Sequence, residues 1–238
     1  MELSKRLSAV AGLVSQGLVV ADVGTDHGYI PIFLLESGKC EKAFAMDVNE
    51  GPLKRARDHI AIHGLSRKIE LRLSDGVRAL APGECDCVVI AGMGGGLAIK
   101  IMEEGREVFQ SLKEFVLQPQ SELSKVREYL WKEGYLVVSE DMVEEDGKFY
   151  PMMKVTKGSD AEYSNIELRY GRNLLKDNHP VLKVFLEKEV RSKENILRNL
   201  ERQSGEHIEI RKREIQEELS RVKEALEVLK LGRKCYAL

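Results

Sequence analysis

The sequence predicts an α/β protein: a parallel sheet covered by helices on both faces, then a terminal antiparallel hairpin and a separate helical tail. Three observations predict this fold. Short β-rich apolar runs alternate with helical periodicity over the first 155 residues or so, as in βαβ units. Two later runs stand too close together for a parallel crossover. From about residue 165, leucine and isoleucine recur at helical spacing.

Composition and charge fit a globular protein. The 238 residues are 43% hydrophobic and 32% charged, which is enough apolar sequence for a sizeable core. No apolar run reaches the roughly 18–20 residues of a membrane span, and the charged N-terminus is unlike a signal peptide. Cys40, Cys85, Cys87 and Cys235 are too scattered for a disulfide scaffold. We therefore expect a soluble cytoplasmic protein with reduced thiols.

The strands follow one another with parallel crossovers until the last two. A helix near 121–133 precedes those two runs, 135–143 and 148–156, and the turn-like residues 144–147 between them indicate an antiparallel pair. We expect residues 1–160 to form one domain. The five predicted parallel strands are 18–23, 42–47, 68–73, 86–91 and 113–118.

The tail, residues 161–238, is predicted to be a helical hairpin. Pro180 opens one apolar-periodic stretch, and a second shows steps of four and three from Ile215, which is heptad spacing. Two antiparallel helices in a coiled coil are expected. The heptads allow pairing within or between chains, but the short connection 204–207 favours pairing within one chain, and hence a monomer. The expected core is Leu182, Leu186, Val190, Leu197 and Leu200 with Ile208, Ile215, Leu219, Val222, Leu226 and Leu229.

The first strand ends in a segment suited to a nucleoside-like ligand. Gly24 and Gly28 allow close backbone approach where doubly wound sheets bind ligands. The pattern G-x-G-x-x-G is absent, and Asp26 would repel a diphosphate. A ligand with a sulfonium and an amino-acid tail fits better, because its positive centres tolerate carboxylates. The plainer alternative is that Asp26 caps the next helix.

Further polar residues follow the other strands. Asp47 can accept hydrogen bonds from a ribose, and Asp75-Gly76 stands where a carboxylate can meet an adenine amino group, although such a pair is also a turn signal. Four glycines in residues 92–96 indicate close ligand approach or, alternatively, a tight connection. Gln118-Pro119-Gln120 adds amides that could bind a base or cap a helix.

The sequence gives no support for a metal site or for covalent catalysis. His27 could orient a substrate, whereas His59 and the other histidines have no metal-ligand spacing. Cys85 and Cys87 are expected to point the same way on a strand and to belong to the core. No catalytic triad stands out.

Taken together, these residues resemble a known family. The segments 22–31 (DVGTDHGYIP), 91–95 (AGMGG), 117–119 (LQP) and 145–148 (EDGK), with LSKRL at 3–7, are similar to the bacterial tRNA adenine-N1 methyltransferases acting on position 22, the TrmK family. The resemblance covers nearly the whole chain. It implies a class I methyltransferase domain with a Rossmann-like sheet, followed by a helical coiled-coil domain.

The resemblance also implies roles for individual residues. The implied reaction uses S-adenosylmethionine to methylate N1 of a tRNA adenine, mainly by alignment of the reacting atoms. The residues implied for catalysis are Asp26, His27 and Tyr29. Those implied for the cofactor are Asp22, Gly24, Asp26, Asp47, Val48, Asp75, Gly76, Ala91 and Gly92. Those implied for tRNA are Met93, Gly94, Gly95, Gln118, Pro119, Gln120, Lys5, Arg6, Arg191, Arg198, Arg202, Lys212 and Arg213.

The charge distribution bears on the tRNA prediction. Residues 167–238 carry 17 basic and 13 acidic side chains, against 20 and 26 in residues 1–166. An excess of this size is also common on a solvated helix surface, but in this setting it favours phosphate contacts.

Three other functions remain open at this stage. An NAD(P)-dependent oxidoreductase is disfavoured by the missing glycine pattern and the terminal hairpin. A non-catalytic RNA- or partner-binding protein is disfavoured by the acids at three strand ends. A methyltransferase acting on another nucleoside or a small molecule shares the fold, so the fold cannot exclude it.

Overall fold

The computed structural model describes residues 1–235 and divides into two units, Met1–Glu162 and a helical unit that begins at Tyr163. The first unit is built on one seven-stranded sheet. Its strands are β1 (Val20–Val23), β2 (Ala43–Asp47), β3 (Ile69–Leu73), β4 (Cys87–Met93), β5 (Glu114–Pro119), β6 (Tyr135–Glu145) and β7 (Lys148–Lys157). All seven coincide with a predicted run.

The strand order is β3-β2-β1-β4-β5-β7-β6. The first five strands are parallel, and β7 runs antiparallel between β5 and β6. Glu145 pairs with Lys148, so the hairpin turn is the two residues Asp146 and Gly147, both with positive φ. Such a turn matches the twist of the strands. The predicted end of β6 at residue 143 was therefore two residues short.

Helices cover both faces of this sheet, as predicted. Those of the first unit are α1 (Lys5–Leu13), α2 (Tyr29–Glu36), α3 (Glu50–Ile62), α4 (Gly95–Glu104), α5 (Arg106–Ser111) and α6 (Leu123–Lys132). Alternate strand residues enter two apolar clusters, one with α1, α2 and α3 and the other with α4, α5 and α6, as the two-residue period of a strand requires.

The positions of two cysteines differ from the prediction. Cys85 and Cys87 were expected on one face of a strand, but Cys85 precedes β4 and lies in the α4–α6 cluster, whereas Cys87 faces the α1–α3 cluster. Cys40, Cys85 and Cys87 are buried free thiols. The side chain of Cys235 lies outside the described residues.

The second unit consists of α7 (Asn165–Tyr170), α8 (Arg172–Lys176), α9 (Pro180–Leu200) and α10 (Glu206–Cys235). Helices α9 and α10 pack against each other, and their boundaries agree with the predicted interruption. Two packed helices are therefore confirmed, while coiled-coil geometry stays a prediction. In the described range, residues 1–235, no helix is both long and apolar enough to span a membrane.

The seam between α9 and α10 is less regular than the heptad pattern predicts. Val190, Leu197, Leu200 and Leu226 are only partly buried, and Ala225 is buried instead. Lys193 is also buried, with its Nζ 2.7 Å from Glu218 Oε2 and 3.2 Å from Glu189 Oε2. A charged side chain at a seam position fixes the register of paired helices.

Candidate functional site

The carboxyl ends of the parallel strands border a cavity of about 250 Å³. It lies where a doubly wound sheet changes direction, between β1 and β4. Six of its eight lining residues were predicted site residues, although Arg6 was expected to contact tRNA. The lining is Arg6, Leu7, Asp22, Gly24, Asp26, Tyr29, Ile30 and Ala91.

Asp22 is the buried acid of this cavity. It is the third residue of β1, a strand in which every residue is buried, and only 5% of it is exposed. Burial raises the pKa of Asp22 to about 6; a hydrogen bond with the Thr25 side chain opposes this rise, and the negative charge of Asp47 adds a smaller increase. A carboxylate held in this environment gains most from a positively charged ligand.

The turn from β1 to α2 is conformationally unusual. Gly24, His27 and Gly28 all have positive φ, at 78°, 62° and 70°. Helix α2 is capped by Gly28 without a side-chain hydrogen bond, so the alternative that Asp26 caps it is wrong. The Asp26 carboxylate is 60% exposed and pairs with Arg55, with Oδ1 2.8 Å from Nη2 and 3.0 Å from Nε.

Three aromatic rings meet beside this turn. His27 and Tyr29 stack with centroids 5.2 Å apart and planes 10° apart, and His59 lies 4.9 Å and 5.6 Å from them. The Nδ1 atom of His27 is buried without a hydrogen-bond partner. Sequence reasoning missed His59. The sequence indicates His59 only through its position on α3, a helix whose buried residues include Ala56 and Ile60.

The ends of β2 and β3 carry the other predicted acids. Asp47 is the last residue of β2, and its Oδ1 accepts a hydrogen bond from the Asn49 backbone at 2.8 Å. Val48 is largely exposed beside it. Asp75 is exposed, with Oδ2 3.5 Å from Arg78 Nη1, and Gly76 has a φ of 61°. Neither acid lines the 250 Å³ cavity.

The glycine-rich segment is not an open loop. Strand β4 continues through Met93 with a bulge between Ala91 and Met93, and α4 begins at Gly95. The segment is therefore a tight strand–helix connection, which was the alternative interpretation of these glycines in the sequence. A Cβ on Gly95 would lie 2.5 Å from the Ser121 carbonyl oxygen, so packing against the β5–α6 connection explains this glycine.

Met93 links the two glycine segments. A Cβ on Gly24 would lie 2.1 Å from the Met93 Cε atom, so the methionine methyl packs directly on the Gly24 backbone. Gly94 is close to Ser121, since a Cβ there would lie 3.3 Å from Ser121 Oγ. Gly24 therefore accommodates a side chain from β4, and close approach of a ligand is not needed to explain it.

Gln118 connects α1 to the end of β4. It is 1% exposed, and its Oε1 accepts hydrogen bonds from Arg6 Nη1 at 2.9 Å and from the Gly92 backbone at 3.2 Å. Its Nε2 is buried without a partner. Such unpaired buried groups are costly unless a ligand satisfies them. Pro119 is buried at the end of β5, and Gln120 is exposed.

The remaining predicted tRNA contacts lie elsewhere. Lys5 is exposed at the start of α1. In the second unit, Lys212 pairs with Glu209 at 2.6 Å and Arg191 Nε donates to the Glu187 carbonyl at 3.3 Å. The exposed arginines of this set are Arg191, Arg198, Arg202 and Arg213. Within the described residues, no group of three His, Cys, Asp or Glu could hold a metal ion.

The strand order, the antiparallel β7 and the acids at successive strand ends define a class I, Rossmann-like methyltransferase. The family model described as "TrmK: tRNA (adenine(22)-N(1))-methyltransferase" matches residues 20–224. The chain belongs to this family.

Individual relatives agree with this assignment. The chain is 37% identical over 172 residues to the tRNA (adenine(22)-N(1))-methyltransferase of Bacillus subtilis, with 72% of each protein covered. The crystal structure of B. subtilis TrmK has a TM-score of 0.81 and 30% identity, covering 94% of this chain and 98% of the other. The Streptococcus pneumoniae protein Sp1610, solved with S-adenosyl-L-methionine, has a TM-score of 0.84 and 34% identity, covering 94% and 100%.

Proposed function

We propose that this chain transfers a methyl group from S-adenosyl-L-methionine to N1 of adenine 22 in tRNA, using the cavity at the carboxyl edge of the sheet. The family match over residues 20–224 carries this conclusion, because it includes the ends of all five parallel strands. Membership favours this reaction over methylation of another nucleoside or a small molecule, over nicotinamide chemistry and over a purely binding role.

The residues present fit the cofactor. Asp22 offers a buried carboxylate to a positively charged ligand, and the unpaired Gln118 Nε2 offers a hydrogen bond. We assign Asp47 to the ribose and Asp75 with Gly76 to the adenine of the cofactor, because Asp47 ends β2 and Asp75 follows β3. Gly24, Val48, Ala91 and Gly92 complete the proposed cofactor site.

The proposed chemistry depends mainly on alignment. S-adenosyl-L-methionine supplies an electrophilic methyl group, and adenine N1 has a lone pair, so no activated protein nucleophile is needed. The methylated base is cationic, and Asp26 would stabilise the developing charge. Its carboxylate is already paired with Arg55, so this role requires Asp26 to share or exchange that partner. Full turnover and unchanged cofactor affinity in Asp26→Asn would refute it.

The target base must leave its stack to reach the cavity. Tyr29 lines the cavity and stacks on His27, so these two rings offer a flat surface to an adenine. Met93, Gly94, Gly95 and Gln118 to Gln120 are proposed to border the base. Because Gly95 is buried against the β5–α6 connection, we assign its contribution to the shape of this border.

The helical unit is proposed to hold the tRNA backbone. Arg191, Arg198, Arg202 and Arg213 are exposed cations of α9 and α10, and Lys212 is their half-buried neighbour. Neutralising the four arginines should weaken tRNA binding and flatten its salt dependence, with cofactor affinity unchanged. Four further features of this protein are also proposals. They are two separate domains at residues 1–160 and 161–238, an intrachain antiparallel coiled coil, a monomeric state and a cytoplasmic location.

The direct test is a methylation assay. Purified protein is incubated with S-adenosyl-L-methionine and an unmodified tRNA transcript, which is then digested to nucleosides for mass spectrometry. The expected product is N1-methyladenosine, and a transcript with guanine at position 22 should give none. A different methylated nucleoside, or an equal yield from the control transcript, would refute the proposed specificity.

A further inference from the structure

We propose that two side chains of helix α3, Arg55 and His59, position the turn that carries Asp26, His27 and Tyr29. The proposal rests on the proposed function, in which these three residues serve methyl transfer. Asp26 and Tyr29 line the 250 Å³ cavity, whereas Arg55 and His59 do not. Arg55 and His59 therefore act through the residues of the turn and are positioning residues.

The turn between β1 and α2 has a conformation that its own residues do not favour. His27 is not a glycine, yet its φ is 62°, and Gly28 follows with a φ of 70°. Helix α2 begins after Gly28 without a side-chain cap. A backbone of this kind persists only where the surrounding structure holds it, so contacts from outside the turn are required.

One face of α3 supplies these contacts. Gly28 packs on the helix, since a Cβ there would lie 3.5 Å from Ile60 Cδ1 and 3.6 Å from Ala56 Cβ. Arg55 and His59 are the residues immediately before Ala56 and Ile60, and a spacing of four places them on the same side of a helix. This face therefore brings a cation and an aromatic ring to the turn.

Arg55 holds the Asp26 carboxylate by one of its two oxygens. Nη2 and Nε of Arg55 donate to Oδ1 at 2.8 Å and 3.0 Å, and neither of these hydrogen bonds uses Oδ2. A carboxylate oxygen is an acceptor, so Oδ2 is left for the amino group of the target adenine. The two side chains are 48% and 60% exposed, and so exposed an ion pair contributes little to stability. Its main effect is to orient Asp26.

His59 supports the two stacked rings from the side of α3. Its ring centroid lies 4.9 Å from that of His27 and 5.6 Å from that of Tyr29, with planes tilted by 47° and 54°. Aromatic pairs attract one another at these separations. Contact with both rings restricts the orientation of the stack, which is the flat surface proposed to receive the adenine.

Single-turnover methylation, with the protein in excess over tRNA and the cofactor saturating, tests Arg55. Arg55→Gln should lower the rate roughly 10- to 100-fold, as expected for a displaced catalytic group. Affinity for S-adenosylhomocysteine should change less than about twofold, and adding Arg55→Gln to Asp26→Asn should also cost less than about twofold, because the two residues act as a unit. Arg57→Gln, an exposed arginine on the same helix, is the matched control and should leave the rate unchanged.

Two substitutions of His59 separate ring packing from proton transfer. His59→Ala should lower the single-turnover rate about tenfold, whereas His59→Phe, which keeps a flat ring, should retain about half of the wild-type rate or more. Both variants should bind S-adenosylhomocysteine as the wild type does. An equal loss of rate in the two variants would show that the ring nitrogens are needed and would overturn the packing role.

The remaining outcomes distinguish this proposal from the proposed function. If the wild-type protein formed no N1-methyladenosine, the proposed function would fail. If it did, and Arg55→Gln and His59→Ala kept the full rate, only the positioning role would be wrong. Weaker tRNA binding with an unchanged rate, or an equal loss in the Asp26→Asn background, would indicate that Arg55 contacts tRNA directly and would overturn its role.

Discussion

Replacing Asp22 by asparagine should stabilise the ligand-free protein and at the same time impair cofactor binding. Burial raises the pKa of the Asp22 carboxyl from 3.8 to about 6. The folded state therefore binds the proton more tightly than the unfolded state, so stability falls as pH rises through this range and the loss is complete above pH 6. A shift of this size corresponds to ~3 kcal/mol. Asparagine has a similar shape and carries no charge to bury.

The expected gain depends on pH in a way that identifies its cause. The free energy of unfolding of Asp22→Asn should exceed that of wild type by ~3 kcal/mol at pH 8 and by ~2 kcal/mol at pH 5, because the native carboxyl is mostly protonated at the lower pH. Urea titrations can follow Trp131, the single tryptophan of the chain, which lies on α6 of the first unit.

A matched control separates burial from a general charge effect. Asp75→Asn removes a carboxylate that is exposed at the end of β3, so its stability should stay within about 0.5 kcal/mol of wild type at both pH values. An Asp22→Asn protein that is no more stable than wild type, or that gains equally at pH 5 and pH 8, would refute the reasoning. Weaker S-adenosylhomocysteine binding completes the expected result.

Three further predictions follow from the same site and its supporting core. Affinity of the wild-type protein for S-adenosylhomocysteine should fall about tenfold from pH 7 to pH 5, because Asp22 must ionise to pair with the ligand's ammonium group; calorimetry that finds no pH dependence would contradict this. Gly24→Ala should lower the free energy of unfolding by about 1–3 kcal/mol through its positive φ and the contact with Met93, and adding Met93→Ala should recover part of the loss in urea titrations. Arg127→Met should cost about 3–5 kcal/mol by breaking the buried ion pair between Arg127 and Glu140, and the double variant with Glu140→Leu should recover stability if the buried pair is the cause.

Much of the fold could be predicted because the strands β1, β2, β4 and β5 have continuous buried runs. The run 113–118, for example, corresponds to β5 at Glu114–Pro119. Continuous apolar runs separated by polar helical segments leave few alternatives to a parallel sheet. The carboxyl ends of such strands lie at one edge, so the amino-acid sequence alone is enough to group Asp22, Asp47 and Asp75 as a site.

Contacts between distant segments could not be predicted in this way. His59 has no motif around it, yet it meets His27 and Tyr29 because α3 packs beside the turn that precedes α2. Met93 is predicted to border the substrate, and no motif indicated that its methyl also packs on Gly24, 69 positions earlier in the chain. Pattern and spacing describe local preference, and they contain no information about which side chains meet across the sheet.

The sequence by itself determined the class of fold, the strand positions and the acids at three strand ends, because these depend on hydrophobic periodicity and on local turn chemistry. Only the tertiary structure decided that β7 lies between β5 and β6, that Asp26 pairs with Arg55 and that Arg6 enters the cavity beside Asp22. Each of these depends on the packing of elements far apart in the chain, and close packing selects one arrangement from the many that the same local pattern allows.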